Sequence, residues 1–292
     1  SGFIAFVLSF RFRTENKYIK YLSNILHLSE MKELTFNIRP LNEVLEASNL
    51  RGQGSLVDQV YGLLRAQIIN LSLPPESALV EQEVASVLEI SKTPVREAII
   101  RLAREGLVEV VPKSGSYVTA VSLERYLEAC FVRTQLEAGC VKRLAVQGVS
   151  MADQVRLKAI LTEQEEALEQ NDDVRFFELD ERLHRCFFDL AGLSGAWEIM
   201  NFAKAEMDRV RHLKRLFGIR RRESVVEEHA ALVNAIFDRD PDGAEQSMMD
   251  HVGTVEDEMN SISDNPLLLR TIEDLNKLVA LDRRTPGSKK IA

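Results

Sequence analysis

Asp180 and His184 stand four residues apart in ELDERLHRCFF, so on a helix they project from one face about one turn apart. His229, in EEHAALVNAI, and His251, in MMDHV, fall on two later stretches with helical periodicity. If the four converge, a carboxylate and three imidazoles from three helices make an oxygen and nitrogen site for a divalent transition metal, with positions left for water or a ligand. Spacing alone leaves a second reading open, because a histidine on a helix is commonly a surface or satisfied core residue. His27 and His212 are read in that second way. Arg133 is four residues before Glu137, the spacing of a helical ion pair.

A different chemistry is written in SKTPVREAIIRLAREG, Ser91 to Gly106. Hydroxyl residues and a proline suit a first helical turn beginning at Ser91 or Thr93, and Gly106 is a ready stop. Val95, Ala98, Ile99 and Leu102 make one apolar stripe, while Lys92, Thr93, Arg96 and Arg101 lie off it. A short helix with one buried stripe and cations and hydroxyls at its start suits the major groove, where cations meet phosphates and base acceptors. These residues fit a solvated surface helix equally well when taken alone.

The elements around that helix argue for the groove. Val57, Val60, Tyr61, Leu64 and Ile68 predict a helix from Leu56 that ends before Pro74 in SLPPE. A shorter helix follows over about Val80 to Leu88, and only Glu89 and Ile90 separate it from the basic stretch, the spacing of a helix-turn-helix. LVEVVP, KSGS and YVTAV then read as a hairpin, which makes the unit winged. Beyond residue 121 proline is scarce and apolar residues recur every three or four positions. About six helices are expected, over 122–147, 152–170, 172–191, 196–216, 221–238 and 241–262. The expected fold is therefore mainly α, a winged helix-turn-helix followed by an all-α bundle. Its divisions are an N-terminal extension of residues 1–54, the winged domain 55–120, the bundle 121–263, and a C-terminal helix near Leu267 to Leu281 with a basic tail, 264–292. SNLRGQGS, Ser48 to Ser55, reads as a linker.

Composition narrows the partners. A net charge of -8 and a pI near 5.4 provide no global field for nucleic acid, so any DNA contact is local. Cys130, Cys140 and Cys186 are odd in number and form no C-x-x-C pair, which predicts reduced thiols and a cytoplasmic location. No apolar run approaches the roughly 20 residues of a membrane span. Phe3 to Phe10 is apolar but lacks the flanks of a secretory signal.

The motifs E-x-E-V-A, I-S-K-T-P-V-R-E-A, R-L-x-x-E-G-L-V and G-S-Y-V, over roughly residues 55 to 120, resemble the DNA-binding domain of the GntR family of bacterial transcription regulators. The resemblance implies that Arg96 reads DNA with Ser91, Lys92 and Thr93 beside it, that Gln82 contacts DNA, and that Lys113, Gly115 and Ser116 form the wing tip. The family usually has arginine at Lys92, and several members have it at Gln82. Lysine is a point charge without the bidentate fork. R-x-x-L-E, L-D-x-x-L-H, E-H-x-x-L-x-x-A-I and M-x-x-H look like the metal-binding FCD branch of the same family. Matched one by one, Asp180, His184, His229 and His251 occupy its ligand positions, which implies a divalent metal such as zinc or nickel and argues against the acyl-CoA effector of the branch without them. Arg133 matches a position that reaches an effector carboxylate. Leu193 departs from the polar residue frequent after A-G.

The function implied is a metabolite-responsive repressor, a homodimer on pseudo-palindromic double-stranded operator DNA, with a small carboxylate as effector and no membrane partner. A metal-dependent hydrolase or oxygenase using the same four ligands is the alternative. It lacks a separate general base, a nucleophile elbow and a phosphate-cradling glycine loop, and leaves the winged helix unexplained. A third reading makes the bundle a dimerisation module with a structural metal.

Overall fold

A computed structural model describes residues 39–50, 54–217 and 222–282. The Phe3 to Phe10 run, His27 and the basic tail lie outside the described residues. Ser55 opens helix α2 (Leu56–Ile69) by accepting the Asp58 N–H while the Asp58 side chain returns to the Ser55 N–H. Val60, Leu64 and Ile68 then line up at one-turn intervals and are fully buried. Helix α3 (Glu81–Val87) and helix α4 (Lys92–Arg104) follow, with Glu89 in the turn between them at a left-handed φ of 57°. Pro94, Val95, Ala98, Ile99 and Leu102 form the buried stripe of α4. Burying each large aliphatic side chain contributes about 1.5–3 kcal/mol, so this stripe fixes which face of α4 is left for solvent. The wing is an antiparallel pair, β1 (Val108–Val111) and β2 (Gly115–Val118), in the register Val108 to Val118 and Val111 to Gly115.

The segment just before the Ser48 to Ser55 stretch read as a linker contributes to the core of this domain. A four-residue helix α1 (Leu41–Val44) and a 3-10 turn over Ala47–Asn49 precede α2, and Leu45 is 1% exposed within the same apolar cluster as Leu64, Val84 and Leu102. Leu50, inside that stretch, is partly buried against the same cluster, so apolar contact reaches into the residues whose polar composition suggested a linker.

The bundle begins at α5 (Leu123–Gln147), capped by Ser122, and continues with α6 (Met151–Glu169), capped by Ser150, and α7 (Asp173–Leu190), capped by Asp172. Two of the expected helices are each divided. The span 196–216 is α8 (Ser194–Ala203) and α9 (Ala205–Leu216), which meet at Lys204, a buried lysine paired with Glu181. After α10 (Arg222–Phe237), the span 241–262 is α11 (Pro241–Val252) and α12 (Val255–Ser263). Gly253 ends α11 at φ 82°, a conformation that a side chain would strain, and Thr254 caps α12. The last helix, α13, covers Pro266–Asp282. Among the described residues the bundle thus has eight helices between Leu123 and Ser263. Their core is one cluster that includes Leu144, Leu157, Phe176, Phe187, Trp197, Leu232 and Met248. The three cysteines are free thiols buried in the bundle.

Candidate functional site

The bundle brings all four candidate ligands together. Asp180 and His184 project from α7, His229 from α10 and His251 from α11, with one ligand atom from each within 4.8 Å of every other. His251 Nε2 is 3.2 Å from both His229 Nε2 and His184 Nε2, and Asp180 Oδ1 is 3.5 Å from His229 Nε2. The outward nitrogens decide the tautomers. His229 Nδ1 meets Gln164 Oε1 at 2.8 Å, His251 Nδ1 meets Glu228 Oε2 at 2.9 Å, and His184 Nδ1 lies 2.7 Å from Glu137 Oε2. Neither oxygen hydrogen-bonded to His229 and His251 carries a proton, so those two Nδ1 atoms supply one and leave a bare lone pair on Nε2, and at 2.7 Å the ionised Glu137 favours the same tautomer of His184. Lone pairs facing one another at 3.2 Å, from His251 to His229 and from His251 to His184, repel unless a cation lies among them. Two nitrogens each about 2.1 Å from one ion are about 3.0–3.4 Å apart for right-angle to tetrahedral coordination, so the donor set fits a divalent transition metal.

Electrostatics keep these donors ready. Burial pushes the His229 imidazole well below its ordinary value and lowers His251, where the hydrogen bond to Glu228 opposes the shift. Burial would raise the Asp180 carboxyl, but the surrounding histidines and Arg133 bring it below the usual carboxylate range. Glu137 is similar, with Arg133 and His184 outweighing burial. Burial therefore favours the neutral form of His229 and His251, and the charge of Arg133 favours the ionised form of Asp180 and Glu137, the forms that bind or support a metal.

Asp180 and His251 also face a cavity of about 440 Å³, in the size range of small-molecule sites. Phe176, Phe177 and Val225 supply apolar wall, and Lys214, Arg211 and Arg215 supply positive charge. Arg133 does not line this cavity. It is 5% exposed on α5, and its Nε donates to Glu137 Oε1 at 2.9 Å, the helical ion pair its spacing allowed. Among the outer residues that hold the imidazoles, Glu137 was legible in the sequence only as an ion-pair partner of Arg133, and Glu228 and Gln164 were not identified. Glu228 adjoins His229 and Glu137 follows Arg133 by one turn, so both had a local signal, whereas Gln164 had none.

The DNA-facing candidates occupy a separate surface. Gln82, Ser91, Lys92, Thr93, Arg96, Lys113 and Gly115 are exposed, and Ser116 is half-buried. Lys92, Thr93 and Arg96 sit on the first turns of α4, while Lys113 and Gly115 are at the hairpin tip with φ of 65° and 145°. Arg96 is held by Glu81 of α3, its Nε at 3.0 Å from Oε1 and its Nη2 at 2.8 Å from Oε2. That hydrogen bond raises the arginine's pKa and lowers the glutamate's. Both ends remain solvent accessible, with side-chain exposures of 63% and 30%.

Two families match separate stretches of this chain. The family described as bacterial regulatory proteins, gntR family, matches residues 56–118, and the FCD domain matches residues 128–254. The HTH-type transcriptional repressor RspR of Escherichia coli K12 is 30% identical over 204 residues, covering 70% of this chain and 89% of that protein. An HTH-type regulator from an unstable DNA locus of Streptomyces ambofaciens is 34% identical over 206 residues, covering 70% and 84%. Among solved structures, E. coli McbR/YncC superposes with a TM-score of 0.58 at 21% identity, covering 78% of this chain and all 100% of the other. A GntR-type regulator from Rhodococcus sp. RHA1 gives 0.55 at 22% identity, covering 72% and 99%. These two likenesses establish the fold.

Proposed function

We propose, because this chain belongs to the GntR family of bacterial transcription regulators and carries an FCD domain, that it couples operator binding to a ligand held at a metal in its helical domain. Its relatives are regulators, and it is a DNA-binding regulator and not an enzyme. The observation that carries the finer reading is the triad of Nε2 lone pairs closing on one point beside Asp180, at the end of a cavity.

In this reading Asp180, His184, His229 and His251 hold a divalent transition metal, zinc or nickel. When bound, the metal offers Lewis-acid positions to a small carboxylate. Gln164, Glu228 and Glu137 orient the imidazoles and fix their tautomers. Arg133 adds positive charge behind His184, and for it to touch a ligand carboxylate its guanidinium must leave Glu137. On the DNA side, Arg96 reads a base edge or phosphate, Ser91, Lys92, Thr93 and Gln82 support it, and the tip of the wing at Lys113, Gly115 and Ser116 tracks the backbone. A homodimer would present two such surfaces, from the winged domain 55–120, to a pseudo-palindromic operator, with the bundle 121–263 as sensor. The sign is taken from the E. coli relative, which is named a repressor. Ligand binding regulates only if its affinity differs between DNA-competent and incompetent arrangements.

Elemental analysis of the purified protein and of His229→Ala tests the site. About one divalent metal ion per chain is expected in the parent and a marked loss in the variant. Full occupancy in His229→Ala removes the assignment.

A further inference from the structure

The four residues that join the wing to the bundle, Thr119 to Ser122, are held largely by side chains of two distant helices. Arg209 of α9 is fully buried and donates through Nη2 to Thr119 O at 2.9 Å and through Nη1 to Ala120 O at 3.3 Å. Glu206, also on α9, accepts the Ser122 N–H at 2.8 Å. Between them Asn276 of α13 takes both backbone groups of Val121, its Oδ1 accepting the N–H at 2.9 Å and its Nδ2 donating to the carbonyl at 2.8 Å. A carboxamide has the donor and the acceptor needed to pair with both groups at once, as a neighbouring strand would. Asn276 lies beyond the FCD match, which ends at residue 254.

Helix α12, joined to α13 through Asp264 and Asn265, forms part of the cavity wall. The Glu258 carboxylate on α12 accepts from the Lys214 ammonium of α9 and the Tyr126 hydroxyl of α5, and all three residues line the cavity. The hairpin of α12 and α13 therefore touches the cavity at one end and the interdomain segment at the other. Helix α9 also reaches both places, since Asp208 and Lys214 line the cavity while Arg209 and Glu206 hold the segment. But α9 is fixed: Ala205 belongs to the winged domain's core and Arg209 is fully buried, so moving it breaks many contacts. Among the described residues, Ile262, Leu268, Ile272 and Leu275 bury the hairpin's apolar side, while its polar ties are the Asn276 amide to the segment and Glu258 to Lys214 and Tyr126 in the cavity. An element whose polar contacts lie at the ligand cavity and at the interdomain segment is one whose position a ligand can shift.

We propose that the α12 and α13 hairpin is the coupling strap of this regulator. A group entering the cavity disturbs the Glu258 and Lys214 pair, the hairpin shifts, and Asn276 loosens or tightens its hold on Val121, which sets the freedom of the winged domain. This rests on the reading of the cavity as the ligand site.

The test is amide hydrogen exchange on the full-length chain without metal, ligand or DNA, for the parent and for Asn276→Ala, Glu258→Gln and Lys214→Met, with circular dichroism to confirm that each is folded. Asn276→Ala accelerates exchange at Val121 about fivefold, the equivalent of about 1 kcal/mol for one net hydrogen bond, and leaves Ser122 unchanged. Glu258→Gln and Lys214→Met each accelerate Val121 about twofold or more, although neither residue bonds to the segment. No change at Val121 in Asn276→Ala shows that the clamp does not exist. Acceleration in Asn276→Ala alone shows a clamp with no transmission, and either result overturns the proposal. If Glu258→Gln or Lys214→Met unfolds the chain, the other reads the same ion pair; if both do, the pair is a structural necessity and no strap, which also overturns it. Metal content is scored separately by elemental analysis, so failure of the metal-site reading and failure of the strap appear in different measurements.

Discussion

Acidifying the metal-free protein measures how firmly the fold keeps His229 neutral. Burial pushes its imidazole well below the ordinary 6.5, and burial also lowers His251 against the opposing hydrogen bond to Glu228. A histidine with a lowered folded pKa takes up its proton only on unfolding. Below about pH 6.5 the unfolded chain then binds more protons than the native one, so stability falls as pH falls. For an imidazole that stays neutral in the native state down to about pH 5.5, the loss between about pH 6.5 and about pH 5.5 is roughly 1 kcal/mol. His229 accounts for about that amount, and His251 adds up to about the same again. The assay is guanidinium unfolding of the chelator-treated full chain at the two pH values, for the parent and for His229→Gln. Groups remote from His229 cancel in the comparison, so the variant loses about 1 kcal/mol less on acidification than the parent. Equal acid sensitivity in the two chains would refute the claim that burial holds His229 unprotonated, and with it the argument that its Nε2 lone pair is always available to a metal.

Other expectations concern the winged domain. Arg96→Ala weakens binding to an operator selected from a random duplex library by about 1–3 kcal/mol, read by fluorescence anisotropy, with metal content unchanged; parental affinity in the variant would remove Arg96 from the DNA surface. Glu81→Gln frees the Arg96 guanidinium and deletes a negative charge beside the phosphates, so affinity for unrelated DNA rises and the ratio of specific to nonspecific binding narrows; an unchanged ratio means that Glu81 does not position Arg96. Leu45→Ala leaves a cavity in the core of the winged domain and costs about 2–5 kcal/mol in chemical denaturation, whereas a cost below about 0.5 kcal/mol would show that the segment before Ser55 is dispensable.

What could be read from the sequence was what neighbouring residues encode. Asp180 and His184 share a helix face whatever the tertiary fold, and the stripe from Val95 to Leu102 can be buried in only one way, so both were legible. Gly253 was there to be read as a stop, yet the polar face continuing through Thr254 to Glu258 kept the helical period and concealed the break. The division at Lys204 has no glycine or proline to mark it; the buried ammonium turns toward Glu181, a partner set by how α7 packs. Leu45 was missed for a related reason, because LNEVLEASNL is too short for its apolar residues to show a period and its anchor is the core of another element. The same distinction separates the two layers of the candidate metal site. Spacing showed only that Asp180 and His184 share a face and the family resemblance nominated the full inner set, while Gln164 is one amide in a charged helix until α10 places His229 Nδ1 2.8 Å from its oxygen. The residues that set tautomer and charge depend on tertiary contact, so a motif can nominate a metal site but only the packing of α5, α6 and α10 behind it makes three lone pairs point inward together.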